Sequence, residues 1–333
     1  MSVQPVVLVH GGAGPMKRLE AAEEARYRAG LQGAARAGLT ALTRTGSALE
    51  GVVAATLFME DSADFNAGAG SCLDEDGNAT LDAALMRGAD LAAGAVGALT
   101  GTKNAILVCR DLLEEGKHVL LVGPGADRRA RALGLPPLPP PDERRRKVWQ
   151  AMLDERRATG KEPRDRLAAT SRPSTRLSAM SDSQQGTVSE AESHDTVGAV
   201  AVDDMGRVAA AVSTGGLWLK AAGRVGDSAI IAGGIYASDA LGGAAVATGI
   251  GEKILRVALC KEAVDCLAGG ASAQEAAEDA IALVTERFGG DTAGIIVVDG
   301  EGRIGAAFDT RGMGRACARG SDVKVAVWGD ESL

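Results

Sequence analysis

Apolar residues divide the first 135 positions into short strands and longer helices. β-Branched residues dominate positions 6–10, which predicts a buried strand that ends in a glycine-rich turn. Ser47 followed by Glu50 predicts a capping box at the start of a helix. The other predicted elements are helices at 19–42, 47–60 and 104–115, strands at 94–99 and 118–122, and a hairpin joining 71–73 to 79–85 through a turn at 74–78.

Residues 196–333 combine strands and helices in the same way. Two apolar runs, 196–202 and 207–212, flank the turn sequence Asp203-Asp204-Met205-Gly206 and predict a hairpin. Both faces of these runs are apolar, so this sheet should be covered on both sides. Further predictions are helices at 248–267 and 272–287, a hairpin joining 293–298 to 304–308, and a last strand at 323–328. Together these elements are consistent with an α+β fold, a four-layer αββα sandwich.

Residues 136–195 have a different character. Proline occupies five of the six positions 136–141 and blocks both helix and sheet. The remainder is rich in Ser, Gln and Arg and lacks an apolar stripe, apart from a short helix indicated at 147–157. These features predict a mobile linker over 136–195 between an ordered core, 1–135, and the segment 196–333.

Composition narrows the class of protein. Only 3% of the residues are aromatic and 45 are glycine, so packing must depend on small aliphatic side chains in closely apposed layers. The net charge of −8 gives no reason to expect a nucleic-acid partner. The five cysteines lack metal-ligand spacing and indicate buried thiols in a reducing compartment, with disulfides the less favoured alternative. Neither a leader segment nor a membrane span is indicated, which favours a cytoplasmic enzyme.

Thr196 is the first candidate for chemistry, because it lies where the polar linker gives way to a buried strand. A threonine hydroxyl is a poor nucleophile without a base beside it. Cleavage between Asp195 and Thr196 would create such a base, an α-amine with a reference pKa of about 7.7–8.0. The alternative is a β-forming residue at a strand start. Thr187 also precedes a valine, but the acidic residues after it cannot continue as a buried strand.

Thr214 belongs to a second cluster, Ser213-Thr214-Gly215-Gly216, at the end of the hairpin's second strand. Antiparallel pairing across a tight turn returns Thr214 towards Thr196, where its hydroxyl could hydrogen-bond the nucleophile. A local turn is the alternative explanation of this cluster.

A third cluster, GRVGDS at 223–228, places Arg224 three positions before Asp227. An arginine guanidinium can bind a carboxylate through two parallel hydrogen bonds, and an aspartate can accept hydrogen bonds from an ammonium group. The two residues could therefore bind the charged groups of an α-amino acid. Alternatively, the pair holds its own loop.

A fourth cluster, TGIGE at 248–252, opens a predicted helix. Free backbone N–H groups there suit an oxyanion or a carboxylate, although Thr248 could equally be the N-cap. The glycines Gly12 and Gly14 are not completed by a third glycine, since Lys17 occupies that place, which argues against a dinucleotide site. The sequence shows no cluster with the spacing of a catalytic metal site.

The blocks together resemble the plant-type asparaginases with isoaspartyl-peptidase activity, a family of N-terminal nucleophile hydrolases. The matching blocks cover nearly the whole chain in order: VHGGAG (9–14), FNAG (65–68), LDAALMRG (81–88), AGAVGAL (93–99), HVLLVGPGA (118–126), HDTVGAVAVD (194–203), STGG (213–216), GRVGDS (223–228) and TGIGE (248–252).

This resemblance implies an αββα fold, autoproteolysis after Asp195, and a dimer of processed αβ units in which residues 1–195 and 196–333 are the two subunits. It implies that Thr196 is the nucleophile and that Thr214 is hydrogen-bonded beside it. Thr248 and the Gly249 N–H would form the oxyanion hole.

The resemblance also implies which residues bind the α-carboxylate and α-ammonium groups of the substrate, which together are called its amino-acid head. Arg224 would take the α-carboxylate, Asp227 with the Gly251 backbone would take the α-ammonium group, and Asn66 would lie close to the nucleophile. The substrate-binding set that it implies is Arg224, Val225, Gly226, Asp227, Thr248, Gly249, Ile250 and Gly251.

The resemblance implies no cofactor, but members of the family hold a structural sodium ion through backbone carbonyls. The corresponding stretch here includes Met59, Glu60, Ser62 and Phe65. The expected substrates are asparagine and β-aspartyl dipeptides.

Three other classes of protein share part of this pattern. Glycosylasparaginases share several blocks but lack HGGAG, and taspase-like proteases have a serine-rich block and a longer linker. A binding protein with this fold that never processes is the third.

Overall fold

The computed structural model describes residues 3–14, 19–160 and 196–333. Within these ranges the chain forms eight α-helices and twelve strands in two sheets. The helices are α1 (Ala21–Thr45), α2 (Ala48–Asp61), α3 (Ala105–Glu115), α4 (Pro124–Ala132), α5 (Glu143–Thr159), α6 (Gly251–Val257), α7 (Leu259–Ala268) and α8 (Ala273–Phe288). The strands are β1 (Val6–Gly14), β2 (Leu81–Arg87), β3 (Ala93–Leu99), β4 (Leu120–Val122), β5 (Val197–Val202), β6 (Val208–Thr214), β7 (Ile235–Ser238), β8 (Gly243–Gly249), β9 (Ala293–Asp299), β10 (Ile304–Phe308), β11 (Gly312–Arg319) and β12 (Asp322–Trp328).

The larger sheet has eight strands in the order β12-β11-β1-β5-β6-β2-β3-β4, and the smaller has four in the order β10-β9-β8-β7. All neighbouring strands are antiparallel except β3 and β4. The strand β5 therefore lies inside the larger sheet, between β1 and β6. The residues at the start of β5 are therefore buried.

Alternate side chains of the sheets enter different apolar cores. In β1, Val7 and Val9 pack in the core shared with α1, α2 and α3, whereas Val6 and Leu8 pack in a core shared with the smaller sheet. A third core joins the other face of the smaller sheet to α7 and α8. The expectation that β5 and β6 are covered on both faces is confirmed, and the fold is a mixed α/β arrangement of helices and two sheets.

Most local predictions are confirmed. The hairpin at 196–212 forms with Val197 opposite Ser213, and the predicted hairpin at 293–308 also forms. The capping box predicted at Ser47 is half formed: its hydroxyl accepts from Glu50 N, but the Glu50 carboxylate pairs with Arg110 instead. A complete capping box occurs at the start of α8.

Three predicted boundaries are wrong. The helix expected at 248–267 is instead the end of β8 followed by α6 and α7, which are separated by Ala258 at φ 51°. The strand β1 continues to residue 14 through its glycines, and residues 71–73 form no strand although the turn after them is present. Pairing with β9 makes Thr248 and Gly249 part of a strand, and pairing with β11 extends β1 to Gly14. Local propensity does not report such pairing.

The segment predicted to be a linker contains one helix among its described residues. The indicated helix at 147–157 is present as the longer α5, capped by Asp142, whose side chain accepts from Arg145 N at 2.8 Å. Met152 and Leu153 pack against Leu219. The remainder of the predicted linker, residues 161–195, lies outside the described residues.

All five cysteines lie in the described residues and carry thiols rather than disulfides, as expected. Among the described helices, none is both long enough and apolar enough to cross a bilayer.

Candidate active site

Thr196 lies at the start of β5 and is 7% exposed. The β5–β6 ladder pairs Val197 with Ser213, and one further step of this register places Thr196 opposite Thr214. The two threonines that the sequence predicts to be neighbours therefore lie at the same end of adjacent strands. Asp195, the other half of the predicted cleavage site, and Thr187 lie outside the described residues.

The turn after Thr214 is held by Asn66. The Asn66 Nδ2 donates to Gly216 O at 2.7 Å, and Gly215 N donates to the Asn66 carbonyl at 2.9 Å. The Thr214 Oγ1 accepts from Gly216 N at 2.9 Å. Asn66 Oδ1 in turn accepts from Cys72 N at 2.8 Å, so both ends of the side-chain amide are engaged. The geometry makes Asn66 a support for the Thr214 turn.

Thr248 is fully buried at the end of β8, and its Oγ1 accepts from Ala13 N at 3.3 Å. The interpretation of Thr248 as an N-cap is wrong, because Ile250 occupies the N-cap position of α6 and no side chain caps the helix. Thr248 instead brings the end of the smaller sheet to the end of β1, the neighbour of β5.

Gly249 has a backbone conformation that only glycine adopts readily. Its φ is 134°, and a Cβ there would lie 2.3 Å from Thr292 O. Ile250 N donates to the same carbonyl at 2.9 Å, so strand alternation turns the Gly249 N–H away from β9. The Gly249 N–H points to the opposite edge of β8, the edge at which Ala247 N donates to Gly234 O. This orientation suits a donor to a developing oxyanion.

Arg224 is mostly buried and meets Glu252 through two hydrogen bonds. Nε and Nη2 of Arg224 donate to the two carboxylate oxygens of Glu252 at 3.0 and 3.1 Å. Burial alone would lower the pKa of Arg224, but the Glu252 carboxylate outweighs burial and the pKa is raised. Arg224 therefore has the two-bond geometry that suits a carboxylate, and the carboxylate it binds is that of Glu252 in the same chain.

Asp227 is buried beside this arginine. Burial raises the pKa of Asp227 to about 7, although the nearby Arg224 charge favours the ionised form. Its Oδ2 has no hydrogen-bond partner among the described residues. Such an oxygen is costly to bury unless a ligand supplies the donor, and an ammonium group would do so.

The remaining predicted contact residues frame this pair. Gly251 allows close approach, since a Cβ there would lie 2.6 Å from Asp227 Oδ1 and 2.8 Å from Arg224 Nη2. Gly226 N donates to Asp82 Oδ2 at 2.9 Å, while Val225 packs against Gly97. These contacts fix the loop that carries Arg224 and Asp227.

Two supporting residues escaped sequence reasoning. Asp82, fully buried in β2 opposite Thr214, accepts from Gly226 N and from Ala98 N at 2.9 Å each. Lys220, 5% exposed, donates to Thr80 O at 3.0 Å, and burial lowers its pKa against the opposing effect of Asp82. An acidic residue inside an apolar strand was the available signal for Asp82. No local pattern marks Lys220.

His10 is fully buried beside β5. Burial lowers its pKa to about 3, so the ring is neutral. The Thr196 backbone opposes this shift, but neither ring nitrogen completes a hydrogen bond among the described residues. A Cβ at Gly198 would lie 2.4 Å from Nε2 of His10, so the ring fills the space that this glycine leaves.

Glu60 lies behind the threonine pair at the end of α2. Its Oε1 accepts from Ser213 Oγ at 2.7 Å and from Ile106 N at 3.1 Å. Burial raises the pKa of Glu60 to about 8, so the carboxyl is largely protonated at neutral pH. The residue before Thr214 is therefore anchored to a buried carboxyl group.

Glu60→Gln is expected to make the melting temperature less dependent on pH. The native pKa of Glu60, about 8, lies above the unfolded reference of about 4.3, so the native state binds the extra proton between these values. The stability that Glu60 contributes is complete below about pH 4 and is lost as the pH rises towards 8. Glutamine cannot ionise, so the mutant-minus-native difference in melting temperature should increase by at least about 2 °C between pH 5 and pH 8.5.

The matched control is Glu262→Gln, because Glu262 is exposed on α7. Its difference in melting temperature should be the same at both pH values. If the mutant-minus-native difference for Glu60→Gln is also the same at both pH values, Glu60 is ionised in the folded protein.

The structure thus places Thr196 and Thr214 at adjacent strand ends and puts Arg224 and Asp227 on one loop. Comparison with known proteins identifies the family. The asparaginase family profile matches residues 3–327. The chain is 42% identical to a plant-type L-asparaginase of Pyrococcus abyssi over 310 residues, 93% of this chain and 95% of that protein. It is 36% identical to an isoaspartyl peptidase/L-asparaginase of Xenopus laevis over 333 residues, 99% of this chain and 97% of that protein. This protein belongs to the asparaginase family.

Proposed function

We propose that this protein is a threonine amidohydrolase that converts L-asparagine and β-aspartyl dipeptides to L-aspartate. The observation that carries the proposal is the register that sets Thr196 opposite Thr214 at one end of two buried strands. The names of the relatives, plant-type L-asparaginase and isoaspartyl peptidase/L-asparaginase, supply the substrate class.

The first stage is maturation. Thr196 Oγ attacks the carbonyl carbon of Asp195, and the peptide C–N bond breaks as the acyl group moves from nitrogen to oxygen. The proton of the hydroxyl passes to the departing nitrogen, which becomes the amine. Water then hydrolyses the resulting ester, which leaves a new carboxyl terminus at Asp195 and frees the α-amine of Thr196. That amine is the base that an isolated threonine hydroxyl lacks.

The second stage is turnover. The α-amine takes the proton of Thr196 Oγ as this oxygen attacks the side-chain amide carbon of the substrate, and then gives the proton to the leaving nitrogen. The Thr248 hydroxyl and the Gly249 N–H stabilise the tetrahedral oxyanion, typically by about 2.7–4 kcal/mol for one such donor. Thr214 hydrogen-bonds beside the nucleophile. Water cleaves the acyl-enzyme ester and releases aspartate.

Arg224 and Asp227 would select the amino-acid head. The guanidinium takes the α-carboxylate through two parallel hydrogen bonds, and the open oxygen of Asp227 accepts from the α-ammonium group together with the Gly251 backbone. Val225, Gly226 and Ile250 complete the walls of this subsite. Each recognised group is at the α-carbon, so free asparagine and a β-aspartyl dipeptide present the same head.

The purified protein should consist of fragments of 195 and 138 residues, since 333 − 195 = 138. Cleavage there converts Thr196 into an N-terminal residue, and sequencing of the smaller fragment should begin Thr-Val-Gly-Ala-Val. Intact mass and a denaturing gel measure this.

A single unbroken chain that releases ammonia from asparagine would contradict the proposed mechanism, as would a fragment that starts at Thr187. An unbroken and inactive chain that binds aspartate would favour the binding-protein alternative. A glycosylasparaginase-like amidase would instead prefer asparagine carrying a sugar on its side-chain nitrogen.

We also propose a layer arrangement and an oligomeric state for this protein. The two sheets and outer helices would form the four-layer αββα sandwich of N-terminal nucleophile hydrolases, and two αβ units would associate as a dimer. We expect no nucleic-acid partner. The thiol state of all five cysteines supports a reducing, cytoplasmic location.

No cofactor is proposed for the reaction, but a structural sodium ion would fit the turn after α2. Two backbone carbonyls lie close to this turn, since a Cβ at Gly68 would lie 2.2 Å from Glu60 O and one at Gly70 would lie 1.9 Å from Phe65 O. Carbonyl oxygens are suitable ligands for a hard cation. Met59 O is engaged by Ser62 N at 3.2 Å.

A further inference from the structure

The fork of Arg224 is occupied by a carboxylate of the same chain. Glu252 accepts from Nε at 3.0 Å and from Nη2 at 3.1 Å, which is the two-bond geometry that a substrate carboxylate would need. The two side chains differ in burial, since Arg224 is 15% exposed and Glu252 is 44% exposed. Glu252 is therefore the partner with access to solvent, whereas Arg224 is mostly enclosed.

The other half of the head subsite is open. Asp227 Oδ2 is buried without a hydrogen-bond partner among the described residues, and Asp227 Oδ1 and Arg224 Nη2 both lie against Gly251. A ligand that brings an ammonium group meets an unoccupied acceptor. A ligand that brings a carboxylate meets a cation that is already paired.

Pairing with Glu252 has a physical reason. A mostly buried guanidinium left without an anion is costly, and Glu252 neutralises it when no ligand is bound. A substrate carboxylate that took the same Nε and Nη2 donors would replace Glu252 and keep Arg224 paired. The apparent affinity for the ligand then equals its intrinsic affinity multiplied by the fraction of time for which Arg224 is available.

We propose that Glu252 is a specificity-determining residue that competes with the substrate α-carboxylate for Arg224. This inference rests on the proposed function, in which Arg224 binds that carboxylate. Glu252 sets how strongly a ligand must bind through its carboxylate, and it leaves recognition of the ammonium group to Asp227. Weak carboxylates and molecules without the complete amino-acid head are thereby disfavoured.

Glu252→Gln tests this competition, because glutamine keeps the shape of the side chain and removes its charge. Two fragments of asparagine serve as probes: succinamate has the carboxylate without the ammonium group, and β-alaninamide has the ammonium group without the carboxylate. For the processed Glu252→Gln enzyme, KM for asparagine and Ki for succinamate should both fall by about two- to fivefold, the range for a partly exposed ion pair. The Ki for β-alaninamide should change less than the Ki for succinamate, because Glu252 acts on Asp227 only through its charge. We also expect kcat to change less than KM.

The matched control is Glu262→Gln, which removes one exposed carboxylate of α7 and should leave all three constants unchanged. A rise in KM and in Ki for succinamate would show that Glu252 only orients Arg224, and unchanged values would show that it does not compete; either result overturns the inference. Calorimetry with succinamate measures the same competition without turnover. Loss of the proposed function is distinguishable, since the unsubstituted protein would then release no ammonia from asparagine.

Discussion

Thr196→Ala is expected to remain one chain of 333 residues and to release no ammonia from asparagine. Both reactions need the same Oγ, first to attack the Asp195 carbonyl and then to attack the substrate amide. Alanine removes this atom but little apolar contact, so the mutant should fold with a melting temperature within a few degrees of the unsubstituted protein. A denaturing gel, ammonia-release kinetics and thermal unfolding measure the three outcomes.

Thr196→Ser is the matched control, because serine keeps the hydroxyl and loses only the methyl group. It should still be cleaved and should retain part of the activity. Ammonia release by Thr196→Ala above the background of heat-inactivated enzyme would show that another residue is the nucleophile.

Arg224→Ala should be cleaved normally and should lose at least about a hundredfold in kcat/KM for asparagine. Cleavage uses the chain's own Asp195 carbonyl and needs no amino-acid head, whereas turnover needs the carboxylate to be held. Removal of one partner of a buried charge pair costs about 2–5 kcal/mol, which is roughly 30-fold to several-thousand-fold. The loss should extend to the ammonium side, because the Arg224 charge favours ionised Asp227 and its absence would leave that carboxyl more protonated.

Two further variants separate this role from simpler ones. Arg224→Lys should recover only part of kcat/KM, because an ammonium group cannot make the two-bond fork. Arg256→Ala removes a different arginine, one on α6, where Arg256 lies over the Phe288 ring at 4.6 Å, and it should leave kcat/KM nearly unchanged. If Arg224→Ala is cleaved and keeps near-normal kcat/KM, the arginine holds its loop rather than the substrate.

Local chemistry in the sequence was sufficient for many elements of the fold. The hairpin of β5 and β6 follows from two apolar runs around a short turn, and the turn itself fixes the register that brings Thr214 back to Thr196. The caps at Ser47 and Ser272 depend on residues three positions apart. Such features are visible in one sequence because the interacting groups are close along the chain. The order of the blocks then indicated the family.

Tertiary structure decided the features that join distant segments. Residues 243–249 are rich in alanine and valine and are compatible with helix or strand, and pairing with β7 and β9 makes them a strand. The predicted start of the next helix, Thr248, is wrong for the same reason, since Thr248 belongs to β8 and α6 begins at Gly251. Likewise, the helix α5 within the predicted linker packs Met152 and Leu153 against the distant Leu219, a contact that no local pattern indicates.

The supports of the site are also tertiary. Glu60 meets Ser213 across 153 positions, and Asp82 meets Gly226 across 144. Sequence alone presented Arg224 and Asp227 as a pair of candidate charges, but it could not show that Glu252 fills the fork while Asp227 keeps an open oxygen. Periodicity and motif spacing describe what each segment prefers by itself. Which buried charges become paired depends on the order of strands in the sheets, because only the assembled layers bring these groups together and remove them from water.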